Sequence, residues 1–244
     1  MKKIAFYVEG LTEQFFLNKL LVEIAGSKNI EIILERFQGL GMPHDKEIYP
    51  KTSPRPINPK HHALIVNCGG DESVKARILE NYAGHISNGY SEIIGLVDLY
   101  PRTDLEHFEN LLLNGIVKNQ RIITNPLPPN ASIVVAVKEI ESWFLSECKH
   151  FMHIDNMLSN FFISSNVGYD PCTDDMTLID HPAGELHRIY QLAGHVYMNS
   201  NGKKRKNKIE RTVEYLDYSD IYIKLRKNIK KLDELITRID NFLT

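Results

Sequence analysis

Apolar, strand-length runs alternate with helix-forming segments, and this alternation restricts the fold more than any other feature of the sequence. Five runs have the apolar, β-branched composition of buried strands: 3–8 (KIAFYV), 30–37, 62–68, 92–98 (EIIGLVD) and 132–137. Helical patterns separate most of them, over 12–25, 72–88 and 103–118, and EIESWFLSE follows the last strand. The alternation predicts an α/β fold with a mostly parallel, doubly wound sheet, which binds ligands at the carboxyl ends of its strands.

The last third of the chain has a different pattern. We expect an α/β core over residues 1–150 and a helical C-terminal extension over 151–244, packed on the core as one compact unit. Residues 183–200 are expected to be helical. A closing helix is predicted from apolar residues at spacings of four and three: Leu225, Ile229, Leu232, Ile236, Ile239 and Leu243. This seam either packs on the chain's own sheet, which we favour, or forms a coiled-coil homodimer.

Composition and cysteine usage narrow the class of protein. The 244 residues carry a formal net charge of −2, and the longest apolar runs are strand-length. We therefore expect no membrane span and no signal peptide, and a cytoplasmic location. The three cysteines, Cys68, Cys148 and Cys172, are widely spaced and include no CxxC pair. This spacing argues against a structural zinc site or a disulfide framework.

Two further features stand out along the chain. Charge is unevenly distributed, because residues 202–244 hold 12 Lys or Arg against 7 Asp or Glu, whereas the remainder holds 17 against 24. An acidic body with a basic tail is compatible with metal chemistry on a polyanion.

The segment 38–61, rich in proline and glycine, interrupts the strand–helix alternation, and long irregular segments are usually either functional or mobile.

Carboxylates follow three of the predicted strands. Glu9 follows the first, Asp98 ends the fourth, and Glu139 and Glu141 come shortly after the fifth. In a parallel sheet these ends share one edge, where like charges repel unless a cation offsets them. Carboxylate oxygens suit Mg²⁺ or Mn²⁺, and a helix N-terminus after a turn at Gly10 can hold a phosphate. The pattern predicts a metal-assisted phosphoryl-transfer or hydrolysis site.

Each of these acids has an ordinary structural interpretation as well. Acidic residues after strands often cap the following helix, and Glu13 lies in a first helical turn, where the helix dipole favours it. Thr103 is a plausible cap of the 103–118 helix, with Glu106 three residues later. The grouping of Glu9, Asp98 and Glu139 at one predicted edge is what favours function over capping.

Three stretches, VEGLTE, VDLYP and AVKEIESWFL, carry a family resemblance. The first two resemble the TOPRIM fold of topoisomerases, bacterial primases and several nucleases, in which a strand is followed by a glutamate and a glycine and a later strand ends in Asp-x-Asp. The ordered trio resembles more narrowly a family of bacterial TOPRIM-like proteins known as DUF4276. Its members are often associated with mobile elements and anti-phage defence, sometimes beside an ATPase.

The resemblance implies roles for individual residues. Glu9 matches the TOPRIM glutamate, which binds metal or acts as a general acid or base, and Asp98 matches the first aspartate of the metal-binding pair. The second aspartate is replaced by Tyr100, which argues against a second metal, and Asp104 lies too far along the sequence to take its place. Glu139 or Glu141 is the expected substitute.

Basic residues near the C-terminal third suggest how a polyanion is held. Lys203, Lys204, Arg205, Lys206 and Lys208 are expected either to bind nucleic-acid phosphates or to form a solvated surface loop. Lys208 is favoured near the active edge because it opens the next helical stretch.

Three functions compete at this point. The first is a Mg²⁺- or Mn²⁺-dependent TOPRIM-type nuclease that hydrolyses phosphodiester bonds of DNA or RNA. The second is a non-catalytic TOPRIM-like subunit of an ATPase-containing complex, which Tyr100 favours. A receiver-like or flavodoxin-type domain is the third, with Lys138 in the position of its lysine. The sequence contains no Walker A loop, so ATP hydrolysis by this chain alone is not expected.

Overall fold

The computed structural model describes residues 1–26, 28–38, 45–49, 56–118 and 121–244. Its strands are β1 Lys2–Val8, β2 Ile30–Gln38, β3 Asp45–Tyr49, β4 His61–Asn67, β5 Glu92–Asp98, β6 Ile116–Lys118, β7 Arg121–Thr124 and β8 Ala131–Ala136. Its helices are α1 Leu11–Ala25, α2 Asp71–Ser87, α3 Leu105–Asn114, α4 Glu141–Ser146, α5 His150–Ile154, α6 Asn160–Val167, α7 Pro182–Gln191, α8 Lys206–Tyr215, α9 Tyr218–Asp220, α10 Arg226–Asn228 and α11 Lys230–Leu243. Residues 39–44 and 50–55 of the proline- and glycine-rich segment lie outside the described residues.

The main sheet has the order β3-β2-β4-β1-β5-β8. Strands β2, β4, β1, β5 and β8 are parallel, and β3 joins the β2 edge in the antiparallel direction. In the centre, β1 pairs with β4 from Lys2↔His61 to Val8↔Asn67 and with β5 from Ile4↔Glu92 to Val8↔Leu96. The prediction of an α/β, doubly wound parallel sheet is confirmed.

Different helices cover the two faces of the sheet, as the apolar content of the strands requires. On one face, α2 and α3 pack over a core that includes Tyr7, Val66, Val74, Ile78, Val97, Phe108 and Val135. On the other face, α1 packs against β2 and β4 with Phe16, Leu17 and Leu20 fully buried. Gln14 fixes α1 in place, because its Nε2 donates to the carbonyl oxygens of Glu35 at 2.8 Å and Ile65 at 3.0 Å.

The chain leaves β1 and β5 in opposite directions. Helix α1 leads from β1 towards β2 on one side of the sheet, whereas α3 and the β6–β7 hairpin lead from β5 to β8 on the other side. In doubly wound sheets, ligands bind where neighbouring strands have connections that diverge in this way. The carboxyl ends of β1 and β5, at Val8 and Asp98, therefore flank the expected ligand position.

The chain forms two compact units. Unit 1 comprises Met1–Val135 with Thr237–Thr244, and unit 2 comprises Ala136–Ile236. In unit 1, the chain end is held by an ion pair of 2.8 Å between Arg238 Nη1 and Glu92 Oε1, and by Lys28 Nζ, which donates to the Leu243 carbonyl at 3.2 Å.

Unit 2 is helical and has an aromatic core. Trp143, Phe144, Phe151, Tyr190 and Tyr197 are each at most 1% exposed. The hydroxyl groups of Tyr190 and Thr212 are hydrogen-bonded at 2.9 Å, which satisfies a phenol that could not otherwise be buried without cost. Across the described ranges of both units, no helix combines the length and the apolar character needed to cross a membrane.

Two predicted helices end earlier than the sequence suggests. The 103–118 helix is α3, which ends at Asn114, and residues 116–118 form β6 instead. Its cap is Asp104, whose Oδ1 accepts from the His107 N–H at 2.9 Å, and not Thr103. The 183–200 helix is α7, which ends at Gln191. In both cases apolar residues beyond the helix suggested a continuation that the backbone does not make.

The predicted closing helix is also interrupted. Ile229 has an extended backbone (φ −114°, ψ 97°), so α11 begins only at Lys230. Leu225 lies in a π-helical turn, Ile221–Leu225, before this break. The six apolar residues of the predicted seam are nevertheless all buried, at 8% exposure or less. The periodicity therefore identified buried positions correctly, although no single helix carries them.

The expectation about the cysteines is wrong in one respect. Cys148 and Cys172 form a disulfide, with their Cα atoms 5.3 Å apart and 24 residues between them in sequence. Sequence spacing does not reveal such a pair, because Cys172 comes next to Cys148 only once the intervening helices α5 and α6 are folded. Cys68 is free and buried, and burial raises the pKa of its thiol to about 12.

The disulfide predicts a measurable dependence of stability on reductant. A cross-link that spans 24 residues restricts the unfolded chain, so its reduction is expected to lower the free energy of unfolding by about 3 kcal/mol. Urea denaturation with and without dithiothreitol measures the difference. The Cys148→Ser/Cys172→Ser double variant serves as the control, since its stability should not respond to reductant. Equal stability of the oxidised and fully reduced wild-type chain would contradict the prediction.

Candidate functional site

Glu9 and Asp98 are brought together at the carboxyl edge of the sheet in unit 1. Glu9 follows β1, Asp98 ends β5, and these two strands are parallel neighbours. Glu9 Oε1 accepts a hydrogen bond of 2.7 Å from the Asp98 backbone N–H. Asp98 is only 8% exposed. A charge-assisted bond of this kind fixes the Glu9 carboxylate beside the Asp98 main chain, where α1 and α3 diverge.

Glu13 has the structural role that its position suggested. Its Oε2 accepts a hydrogen bond of 2.8 Å from the Gly10 N–H, which satisfies a main-chain donor at the start of α1. Gly10 has an extended backbone (φ −149°, ψ −165°) that any residue can adopt, so the expected sharp glycine turn is not present. A Cβ at this position would lie 3.2 Å from Glu13 Oε2, and this close approach is what favours glycine here.

Tyr100 and Asp104, which follow Asp98 in sequence, lie in different settings. Tyr100 is 43% exposed and precedes Pro101 through a cis peptide bond. Asp104 caps α3 through the His107 N–H. Among the described residues, no group of three or more His, Cys, Asp and Glu side chains lies close enough together to hold a metal ion between its members.

A second carboxylate pair, Glu139 and Glu141, lies in unit 2. Glu139 Oε2 accepts a hydrogen bond of 2.8 Å from the Ala183 N–H in the first turn of α7. Glu141 is fully buried, and its Oε1 accepts from the Tyr197 hydroxyl at 2.8 Å and lies 2.6 Å from Lys204 Nζ. Its Oε2 is also buried, and none of the residues that the structure describes donates to it.

The electrostatics of this pair differ for its two members. Burial, together with the neighbouring charge of Glu141, raises the pKa of Glu139, although the Ala183 N–H, Lys204 and His181 act in the opposite direction. Glu141 is compensated directly by Lys204. The pair thus combines one carboxyl group that holds its proton to higher pH with one carboxylate that is paired with a cation. Such a division suits acid–base chemistry.

The backbone before this pair is unusual. Lys138 adopts a positive φ of 63°, which is uncommon for a residue with a side chain. Its Nζ lies 2.8 Å from Asp180 Oδ1, and the hydrogen bond and charge of Lys138 lower the pKa of Asp180. Strained positions of this kind tend to occur beside functional residues, here directly before Glu139.

The five residues of the predicted basic stretch differ in whether they form an ion pair with an acidic residue. Lys204 pairs with Glu141, and Lys206 lies 4.0 Å from Glu210. Lys203, Arg205 and Lys208 form no ion pair with any residue in the described part of the chain, and α8 begins at Lys206. Three of the five predicted phosphate-binding residues therefore retain an uncompensated charge.

Sequence reasoning missed several members of the unit 2 site. Tyr197 reaches Glu141 from 56 residues along the chain, and the Ala183 N–H reaches Glu139 from 44 residues away. No local sequence motif indicates either contact. The proline at the start of α7, Pro182, was the only signal, because it marks a helix start whose exposed N–H groups attract a carboxylate.

Comparison with known proteins gives little to add. No protein-family model matches this chain, and no curated protein matches it. Among solved structures, the crystal structure of a hypothetical protein from Pyrococcus horikoshii overlaps with a TM-score of 0.44 and 16% identity, covering 100% of both chains. These findings name no activity for the chain.

The raised pKa of Glu139 predicts a pH dependence of stability. The contribution of the Glu139 carboxyl group to the free energy of unfolding is fully present below pH 4.5, its ordinary pKa. This contribution is lost as the pH rises through the higher pKa of the folded state. Glu139→Gln keeps an acceptor for the Ala183 N–H but cannot ionise, so its stability should fall less steeply above pH 4.5. Urea denaturation across this range in EDTA measures both slopes. The exposed Glu106→Gln serves as the control, and a Glu139→Gln slope equal to that of the wild type would refute the assignment.

Proposed function

We propose that the chain is a Mg²⁺- or Mn²⁺-dependent nuclease of the TOPRIM type, which hydrolyses phosphodiester bonds of DNA or RNA. The observation that carries the proposal is the 2.7 Å hydrogen bond from the Asp98 N–H to Glu9, which holds two acidic residues together at the carboxyl edge of a parallel sheet. Both are the residues that match the TOPRIM motifs, and both lie where the connections of neighbouring strands diverge.

The chemistry of Glu9 and Asp98 fits a Mg²⁺ ion. Magnesium in phosphoryl-transfer enzymes is commonly held by one or two carboxylates, with water and substrate oxygens completing the octahedron. A pair of carboxylates is therefore sufficient, and a converging group of three is not needed. Participation of Glu139 or Glu141 in the metal site stays a prediction.

The residues of this chain would contribute in distinct ways. Glu9 and Asp98 would hold the ion, which when bound supplies Lewis-acid activation of a phosphoryl oxygen and of water. The Asp98 N–H would keep the Glu9 carboxylate oriented, so that little reorganisation accompanies binding. A catalytic role for Glu139, which lies in unit 2, stays a prediction. Lys203, Arg205 and Lys208 would bind backbone phosphates.

The cellular setting belongs to the same proposal. We expect a cytoplasmic defence-system effector that acts on nucleic acid, with a partner ATPase and as a homodimer. The Cys148–Cys172 disulfide is the one feature that favours an oxidising compartment instead, because stable disulfides are rare in the cytoplasm.

Tyr100 favours a second candidate function. It occupies the position of the second metal-binding aspartate, and a phenol does not replace a carboxylate as a Mg²⁺ ligand. In this alternative, the chain is a non-catalytic TOPRIM-like subunit docked on an ATPase. The two candidates differ in metal binding, which only the nuclease requires.

A substrate panel tests the nuclease directly. The wild-type chain and Glu9→Gln are incubated with plasmid DNA, single-stranded DNA, tRNA and total RNA, in Mg²⁺, Mn²⁺ or EDTA. Glutamine keeps an acceptor for the Asp98 N–H but removes the charge, so cleavage should fall at least a hundredfold, on the order of the loss of a metal ligand, while the fold is retained. Glu106→Gln, exposed in the first turn of α3, is the matched control and should cleave as the wild type does.

Metal-induced stabilisation separates the two candidates. A metal at 100 times its Kd should stabilise the wild-type chain by about 2.7 kcal/mol, and this gain should disappear in Glu9→Gln and Asp98→Asn. If the wild-type chain shows no cleavage and no metal-induced stabilisation, the nuclease is excluded and the binding subunit remains.

A further inference from the structure

One side of α8 combines basic and aromatic residues. Lys208, Arg211 and Tyr215 follow one another at spacings of three and four, which places them along the same side of the helix. Ile209, Thr212 and Val213 are the buried residues of α8 and point towards the core of unit 2. We call Lys208, Arg211 and Tyr215, with the adjoining His153, the α8 flank.

The aromatic end of the α8 flank is a stacked pair at the surface. The rings of His153 and Tyr215 lie 6.3 Å apart with an interplanar angle of 19°, across the contact between α5 and α8. Tyr215 is nevertheless 43% exposed, and His153 is exposed as well. Two stacked rings at the surface form a platform on which a further planar ring can continue the stack.

Within the described ranges of the chain, the cations of the α8 flank have no anionic partner. Neither Lys208 nor Arg211 forms an ion pair with any described residue. Arg211 lies over the Tyr190 ring at 5.7 Å, and its Nε and Nη2 atoms are buried without an acceptor among the described residues. These two nitrogens form the edge that binds oxyanions through two parallel hydrogen bonds. Turning the guanidinium outward towards a phosphate would therefore break no hydrogen bond of these two atoms.

Three of the acidic residues close by in sequence have basic partners of their own, and a fourth, Glu214, is exposed in α8 beside Tyr215. Asp217 and Asp220 are both bound by Lys149, at 3.1 and 2.8 Å. Glu210 lies 4.0 Å from Lys206, the first residue of α8. The α8 flank therefore combines two cationic side chains, Lys208 and Arg211, with an exposed aromatic pair.

We propose that the α8 flank binds single-stranded nucleic acid, with an unpaired base stacked on Tyr215 and the neighbouring phosphates held by Lys208 and Arg211. The inference rests on the proposed function, in that the ligand is a nucleic acid, and it deepens it by requiring unpaired bases. A duplex keeps its bases inside and offers the platform nothing to stack on, whereas every unpaired base has a π-face.

Fluorescence anisotropy with a labelled single-stranded oligothymidylate tests the platform, with an oligouridylate as the RNA arm and EDTA present to prevent cleavage. Tyr215→Ala should weaken binding about tenfold or more, because it removes one stacking contact, whereas Tyr215→Phe should bind as the wild type does. An abasic oligonucleotide of equal charge should bind the wild-type chain as weakly as the oligothymidylate binds Tyr215→Ala.

The salt dependence of binding tests the cations. Lys208→Ala and Arg211→Ala should each reduce the slope of log K against log salt by about 0.7, the value for one phosphate contact on a single strand. Lys227→Ala, a change at an exposed lysine of α10 that is not part of the α8 flank, should leave the slope unchanged. Circular dichroism and thermal melting confirm that each variant is folded.

Three outcomes would overturn the inference: equal binding of duplex and single strand, wild-type affinity in Tyr215→Ala, or equal binding of the abasic oligonucleotide. The two proposals fail separately. Binding that requires Tyr215, without metal-dependent cleavage, would retain the α8 flank and remove the nuclease. Cleavage that requires Glu9, with binding indifferent to Tyr215, would do the reverse.

Discussion

The hydrogen bond from the Asp98 N–H to the Glu9 carboxylate depends on the whole architecture of unit 1. It forms only because β1 and β5 are adjacent and parallel and end together, which the buried apolar faces of both strands enforce. Helices α1 and α3 then leave the sheet in opposite directions. In the proposed function, the same bond orients the Glu9 carboxylate that would hold the metal ion.

Unit 2 contributes a different arrangement of charge. In it, one carboxylate is buried and paired with Lys204, while its neighbour is held at the start of α7 with a raised pKa. Burying these groups is unfavourable unless each has a partner, and the partners come from Tyr197, Lys204 and the Ala183 N–H. Buried polar clusters that cost stability in this way are typical of functional sites.

Local pattern was sufficient to predict the parallel sheet and the position of Glu9 and Asp98. Fully buried strands appear in the sequence as continuous apolar runs, and the direction of a parallel sheet puts their last residues at one edge. Prediction failed where distant segments decide the outcome. The Cys148–Cys172 disulfide, the break at Ile229 and the contact of Tyr197 with Glu141 depend on tertiary packing, which the spacing of residues in sequence does not encode.

The location of a bound metal tests the central claim most directly. Crystals grown with Mn²⁺ would be measured at the manganese absorption edge, where anomalous scattering identifies the ion independently of the protein. The account predicts an anomalous peak within coordination distance of both the Glu9 and the Asp98 carboxylates, about 2.2 Å for a small divalent ion with oxygen ligands. A well-occupied manganese ion elsewhere, with none at these two residues, would contradict it.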